Sequence, residues 1–388
     1  MKIALVGLLH HPIAEPFSGG MESHTWWLAK KLIEKGHEVT LFASGDSDTR
    51  LGLHPCIESS FEANPLAKTL HGRQACNMQA YANVIREICQ GDFDIVHNNA
   101  LHPFLLTSAS DLPVPMLTVL HTPVYKELAA AVQYAASRNT LGRLAAVCVS
   151  NCLAKEWNPF IETSVVYNGI DVESWPFSLA EPSGEALWYG RIVPEKAPHL
   201  AIQAALKAGL NIEIAGPISD ETYFNNNIAT LIDENSVRYL GHLPQSKLKD
   251  ALSRAKVFLN TSVWEEPYGL VYAEALASGT PVATFDTGAS GEILTSECGV
   301  IAKEKTVSAL AEAVTTAASL SRKACRERAL SFCHIDNMIE GYELLYEQLI
   351  YRQKRLDQRK QQPVAIQPVS ENAAQGLEKI QSLVGIAT

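Results

Sequence analysis

No apolar run in this sequence approaches the roughly 18 residues that a membrane-spanning helix needs, so no such helix is expected. The 388 residues include eight cysteines, at 56, 76, 89, 148, 152, 298, 325 and 333, yet no C-x-x-C pair and no zinc-finger or haem-attachment spacing. Several lie in apolar stretches such as AAVCVS, where a thiol serves as a small hydrophobe, so reduced structural cysteines in a reducing cytoplasm are expected. Positive charge is also scarce. Lys and Arg number 32 against 42 Asp and Glu, a formal charge of −10, which repels phosphate backbones and excludes bulk nucleic-acid binding. The start, MKIALVGLLHHP, has only one Lys before its short apolar stretch, two His and a Pro after it, and no evident small-residue cleavage site, so it reads as a first strand and not a secretion signal.

What is present is a steady alternation. Short Val/Ile/Leu-rich runs bounded by turn residues occur at 2–8, 38–44, 94–98, 116–121 and 145–150, separated by helical stretches at 21–36 and 77–89. Continuous apolar strands joined by helices predict a parallel sheet covered on both faces. The alternation pauses at 165–186, rich in Gly, Pro and Ser, and this segment reads as a linker. It then restarts with strands at 186–191, 211–216, 237–241, 256–260 and 280–285, and helices at 197–208, 245–255, 270–278 and 306–319. The fold class is therefore α/β, with two tandem Rossmann-like, doubly wound domains facing a central cleft. Expected boundaries are 1–168 and 184–332, followed by a helix at 333–353 and a tail at 354–388. Ligands of such sheets bind at the carboxyl ends of the strands.

The segment WEEPYGLVYAEALASGTPV carries the strongest chemical signal. A strand ends near Asn260, a Pro-Tyr-Gly turn follows, and a helix starts at about Gly269, so the N–H groups of Tyr268 to Val271 can meet an anion. Glu266 precedes that helix and Glu274 lies about one turn inside it. Carboxylates so close to an anion site make sense if they bond the hydroxyls of a sugar and a ribose; the other reading is that acids simply favour helix N-termini. Arg191 and Lys196, in RIVPEK, follow the first strand of the second unit and can grip phosphate. Gly19 and Gly20, in FSGGME, precede a helix and let backbone N–H groups approach a phosphate. No G-x-G-x-x-G is present, which disfavours a dinucleotide oxidoreductase. His121 ends an apolar strand and is a candidate hydrogen-bond donor at the cleft, ahead of His10, His11, His97 and His102.

Together with GRIVPEK, SGGMESHTWWLAKKLIEKGHEV, VVYNGID and FDIVH, the paired glutamates resemble the retaining glycosyltransferases of family 4, which have the GT-B fold. The match runs in order over roughly residues 2–350. The stretch from Leu187 to Phe224 is similar to the branch around the avilamycin-type glycosyltransferases. The resemblance implies transfer of a sugar from a nucleotide-diphosphate donor, a UDP-sugar favoured, to a saccharide, lipid-linked or small-molecule acceptor. It implies no cofactor and no metal, since Arg191 and Lys196 neutralise the departing diphosphate with backbone help from Gly19 and Gly20. It further implies that Glu274 bonds the ribose and Glu266 the donor sugar, with the backbone around Tyr268, Gly269 and Leu270 on sugar and phosphate. The base would lie near Gly241 to Leu243, and His121 beside the transferred sugar. A non-catalytic nucleotide-sugar binder and a GT-B epimerase remain alternatives. Three departures stand out: Ala197 where glycine is common, Tyr268 where Phe is common, and TGASGE without a Gly-Gly pair. Arg352, Lys354, Arg355, Arg359 and Lys360 form a basic cluster against Asp357 alone. One reading is weak peripheral contact with an anionic membrane or lipid-linked acceptor; the favoured one is a solvated helix end.

Overall fold

A computed structural model of the chain describes residues 1–361. The first sheet comprises β1 (Lys2–Val6), β2 (Glu38–Ser44), β3 (Leu53–Ile57), β4 (Ile95–Asn98), β5 (Met116–Leu120), β6 (Leu144–Cys148) and β7 (Thr163–Val165). Its order is β3-β2-β1-β4-β5-β6-β7 and every pairing is parallel. Helices α1 (Gly20–Glu34), α2 (Leu70–Gln90), α3 (Pro103–Thr107), α4 (Lys126–Arg138) and α5 (Asn151–Trp157) connect these strands. The second sheet comprises β8 (Ala186–Tyr189), β9 (Ile212–Ala215), β10 (Val237–Tyr239), β11 (Val257–Asn260), β12 (Val282–Phe285) and β13 (Gly299–Ala302), in the order β10-β9-β8-β11-β12-β13, again parallel throughout. Around it lie α6 (Pro198–Lys207), α7 (Glu221–Asn227), α8 (Gln245–Arg254), α9 (Leu270–Ala277), α10 (Ser290–Ile293), α11 (Val307–Ala317) and α12 (Arg322–Phe332). Each sheet thus reverses its strand order next to its first strand, at β1/β4 and at β8/β11, the switch points where doubly wound sheets open a crevice.

The central strands are buried because their runs are apolar on both faces: Ile3, Leu5, Leu117, Val119, Phe258 and Leu259 are all fully covered. Three strands, β3, β7 and β13, are additional to those the pattern predicts, and α2 begins at Leu70, seven residues before the predicted start. All eight cysteines are unpaired. Among the described residues no helix is long and apolar enough to cross a membrane.

The final helix, α13 (Ile335–Gln361), runs eight residues past the predicted end at 353. It packs on the first sheet's unit. Glu343 takes hydrogen bonds from Lys35 Nζ (2.7 Å) and pairs with His37 Nε2 (2.8 Å), Tyr346 meets His97, and Arg352 donates to the Gly142 carbonyl at 3.0 Å. Where the chain crosses between units, Ile170 bridges His334 as a lone parallel pair, with N–H···O distances of 2.9 Å to Cys333 and from Ile335. A Cβ at Gly169 would lie 2.6 Å from the Ile335 Cα, so only glycine lets the two backbones pass. Of the basic cluster, Arg352 is tied to Gly142 and Arg355 lies over the Tyr351 ring. The loose tail expected beyond 361 lies outside the described residues.

Candidate active site

The two switch points face one another across a cavity of about 260 Å³. From the first unit, Pro16, Phe17, Ser18, Gly19 and Gly20 reach it on the loop after β1; from the second come Tyr189, Gly190 and Arg191 at the end of β8, Ala215 to Pro217 at the end of β9, and His242 and Leu243 after β10. Leu270, Val271 and Glu274 of α9 complete it. A Cβ built on Gly20 would sit 3.3 Å from Leu270 Cδ1, so the N-termini of α1 and α9 approach closely across the cleft. The first N–H groups of each helix have no intrahelical partner, so with Arg191 at the rim the cavity wall can offer donors to an anion, although at α1 the buried Glu22 carboxyl lies beside Gly19 and accepts from its own backbone N–H. Arg191 is exposed, free to reach a ligand.

Gly269 caps α9 with φ 84°, in the left-handed region. A side chain there would meet the Tyr272 ring at 2.7 Å and Glu266 Cγ at 3.2 Å. The Tyr268 side chain is buried on the far side, its ring 6.4 Å from that of Tyr167, so Tyr268 anchors the turn and only its backbone is at hand. Glu274 is half-buried and accepts a hydrogen bond from Tyr189. Burial pushes its carboxyl above the ordinary range, while the Tyr189 bond and the Lys249 charge oppose that rise. The Tyr189 hydroxyl is itself held protonated by burial and by the Glu274 charge, which keeps it a donor.

Lys196 and Glu266 form an ion pair beside the cavity. Glu266 also accepts from Ser262 Oγ (3.0 Å) and Trp264 Nε1 (3.2 Å), and the Lys196 ammonium lies 5.4 Å from the Trp264 ring centroid. Behind them, Thr261 Oγ1 bonds the carbonyls of Lys196 (2.9 Å) and Ala197 (3.0 Å), fixing the RIVPEK loop to the end of β11. Ala197 holds φ 46°, so its Cβ sits where glycine is unstrained, at a cost of about 1 kcal/mol. The TGASGE loop packs on the glutamates. Ala289 N–H donates to the Glu266 carbonyl at 3.1 Å and Gly288 N–H to Glu265 Oε2 at 2.5 Å.

Gly241, at φ 73°, accepts from Gly216 N–H at 2.9 Å, stacking the turns that follow β9 and β10. His121 is placed differently from the other candidates. It is 8 % exposed, does not line the cavity, and its Nε2 lies 3.1 Å from Asn99 Oδ1. Burial and the neighbouring His24 and His97 push its pKa well below the ordinary value, so the ring is neutral. Of the residues singled out by sequence, Gly19, Gly20, Arg191, Leu243, Leu270 and Glu274 share the cavity wall, while Lys196, Glu266 and Gly269 adjoin it. Sequence reasoning missed Tyr189, Trp264 and Asn99; for Tyr189 the available signal was its position at the carboxyl end of β8. Among the described residues no three His, Cys, Asp or Glu side chains group to hold a metal.

Two family models match adjoining parts of the chain: Glycosyltransferase Family 4 over 18–174 and Glycosyl transferases group 1 over 171–331. Curated relatives include glycogen synthase of Mycobacterium tuberculosis, 26 % identical over 85 % of this chain and 91 % of the relative. Phosphatidyl-myo-inositol mannosyltransferase of Mycobacterium leprae is 26 % identical over 82 % and 88 %. Among solved structures, AviGT4, a glycosyltransferase of avilamycin A biosynthesis, superposes with a TM-score of 0.68 at 21 % identity, covering 90 % of this chain and 98 % of that one. Anabaena HepE with UDP-glucose gives 0.67 at 17 % identity over 89 % and 100 %. The chain is a glycosyltransferase of the GT-B fold.

Proposed function

We propose that the protein is a retaining, metal-independent family 4 enzyme of the cytoplasm that moves a hexosyl group from a UDP-sugar to a hydroxyl of a saccharide or lipid-linked acceptor. The observation that carries this reading is the convergence of two helix N-termini, Arg191 and the Glu274 carboxyl on one cavity, with the Lys196–Glu266 pair at its side. An anion and the hydroxyls flanking it are what such a set can hold. Glu274 accepts from the ribose hydroxyls and Glu266 from a hydroxyl of the donor sugar. The base lies along Gly241 to Leu243; His121, buried and outside the wall of that cavity, meets the transferred sugar where the sugar extends past the cavity toward the first unit. UDP is favoured because the HepE structures contain UDP and UDP-glucose.

The bond between the anomeric carbon and the diphosphate breaks as the acceptor oxygen bonds the same face of that carbon, and the acceptor proton passes to a leaving diphosphate oxygen. Negative charge growing on the diphosphate meets Arg191, Lys196 and the N–H groups of Gly20 and Leu270, already in place before reaction. The test is thermal unfolding against UDP, GDP, ADP and their sugars, with and without chelator, followed by NMR of the product anomer. A donor at 100 times its Kd should add about 2.7 kcal/mol to stability. One UDP-sugar standing out, indifferent to chelator and giving a product of unchanged configuration, is the expected result. Silence toward every nucleotide, or an inverted product, overturns the proposal.

Glu274 makes donor affinity pH-dependent. Its pKa is raised, so the carboxylate that accepts from ribose is lost earlier on acidification than an ordinary glutamate would be. Tyr189→Phe removes the donor that opposes this rise, so the fall in UDP affinity should move to higher pH, with little change at pH 8. Calorimetric Kd values between pH 5 and 8 check this; coincident profiles would refute it.

A further inference from the structure

Beneath the cleft lies a buried relay that joins the C-terminal helix to His121. Tyr346 OH of α13 stands 2.5 Å from His97 Nδ1 at the end of β4. His97 Nε2 lies 3.0 Å, and His121 Nε2 3.1 Å, from the same oxygen, Oδ1 of Asn99. Asn99 Nδ2 donates to Thr25 Oγ1 of α1 at 3.2 Å, which orients the amide. An amide oxygen only accepts, so both imidazoles must carry their proton on Nε2, and the Tyr346 hydroxyl must donate to the bare Nδ1 of His97. The directions along the chain agree with one another, and each of these side chains except His121 is covered to 3 % exposure or less.

We infer that Asn99 is a positioning residue for transfer: it holds His121 as the neutral Nε2–H tautomer and leaves Nδ1 as the ring's accepting atom, while Tyr346 fixes the relay from α13. This rests on the reading that places His121 beside the transferred sugar. A His121 so held offers an acceptor to a sugar hydroxyl, where the sequence leads one to expect a donor. The surroundings keep it neutral. His24 packs edge-on against His121 with ring centroids 4.8 Å apart, and Tyr342 stands edge-on to both His24 and His97. Burial drives the His24 pKa to about 4 and that of His97 to about 3. The remaining titratable neighbours, Cys148 of β6 beside Tyr342 and Glu343 beside Tyr346, bear on the two tyrosines.

The isosteric Asn99→Asp variant puts a carboxylate in front of two imidazoles. Nitrogen-15 NMR of the histidine rings, with His121 assigned through His121→Gln, should show the wild-type ring protonated on Nε2 at pH 7. In Asn99→Asp it should show an imidazolium at or beside that position. In kinetics, kcat of Asn99→Asp should fall at least tenfold at pH 6 and recover as pH rises, with donor KM near wild type. Should that variant fail to fold, Tyr346→Phe keeps the ring and removes the donor; it should lower kcat several-fold and shift the His97 and His121 signals together. A wild-type His121 protonated on Nδ1, or a pH profile of Asn99→Asp that matches wild type, overturns the inference. Full kcat in His121→Gln would instead overturn the catalytic placement of His121, a result that the tautomer measurement keeps separate.

Discussion

Lys196→Ala should lower kcat by about 10²–10³-fold, with a far smaller change in the Kd for UDP, because removal of one preorganised charge from a developing oxyanion typically costs that much. The geometry sharpens the expectation. Lys196 is 19 % exposed and Glu266 13 %, so the ammonium acts where water screens it poorly. On the proposed reading alanine removes a cation from the diphosphate, and it also leaves the Glu266 carboxylate without its counter-ion. Single-turnover rates with saturating donor, set beside calorimetric Kd values, separate the two losses. Adding Glu266→Gln to Lys196→Ala should not restore the rate, since the proposed function gives the glutamate its own acceptor role. A kcat within threefold of wild type would remove Lys196 from the catalytic machinery.

Gly288→Val carries the second large effect. Gly288 holds φ 53°, and a Cβ there would lie 2.0 Å from the Glu266 carbonyl oxygen and 2.5 Å from its nitrogen. Neither atom belongs to a flexible side chain, so the Glu266 backbone must move. A shift of about 1 Å at a positioned group costs on the order of 10² in rate. Transfer should fall by at least that factor and the melting temperature should drop, while Glu274, on α9, keeps its contact with Tyr189, so the UDP affinity proposed for it should change little. Gly291→Ala is the internal control: its Cβ would meet only Ile301 Cδ1, at 3.9 Å. Equal activity losses in the two variants would refute the role given to the Gly288–Glu266 contact.

The parts of the molecule legible in its sequence are those encoded locally. Glu266, Gly269, Leu270 and Glu274 fall within one strand–turn–helix passage, and Arg191 and Lys196 follow a strand directly, so their placement needs only local rules. Strand β3 escaped because Pro55 interrupts it and its residues are only partly covered, so it shows neither alternation nor a buried run. The first turns of α2 were hidden by polar residues and Gly72, although Thr69 Oγ1 caps that helix through Gly72 N–H at 3.0 Å. Asn99 was invisible for a different reason. His97 is two positions away, but Thr25 is 74 and His121 22 positions from it, and the relay's far end, Tyr346, lies 249 positions from His97.

The last helix leaves the molecule without a clean seam. In chain order α13 follows the second sheet, yet Tyr346, Glu343 and Arg352 serve the first. Exchange of first-sheet units between relatives by cutting in the linker alone would set a foreign surface against Tyr342 and Tyr346, uncovering apolar area and severing the bond to His97. A transplantable unit is therefore discontinuous: residues 1–168 travel with 335–361, and the lone Ile170–His334 bridge marks where both cuts belong.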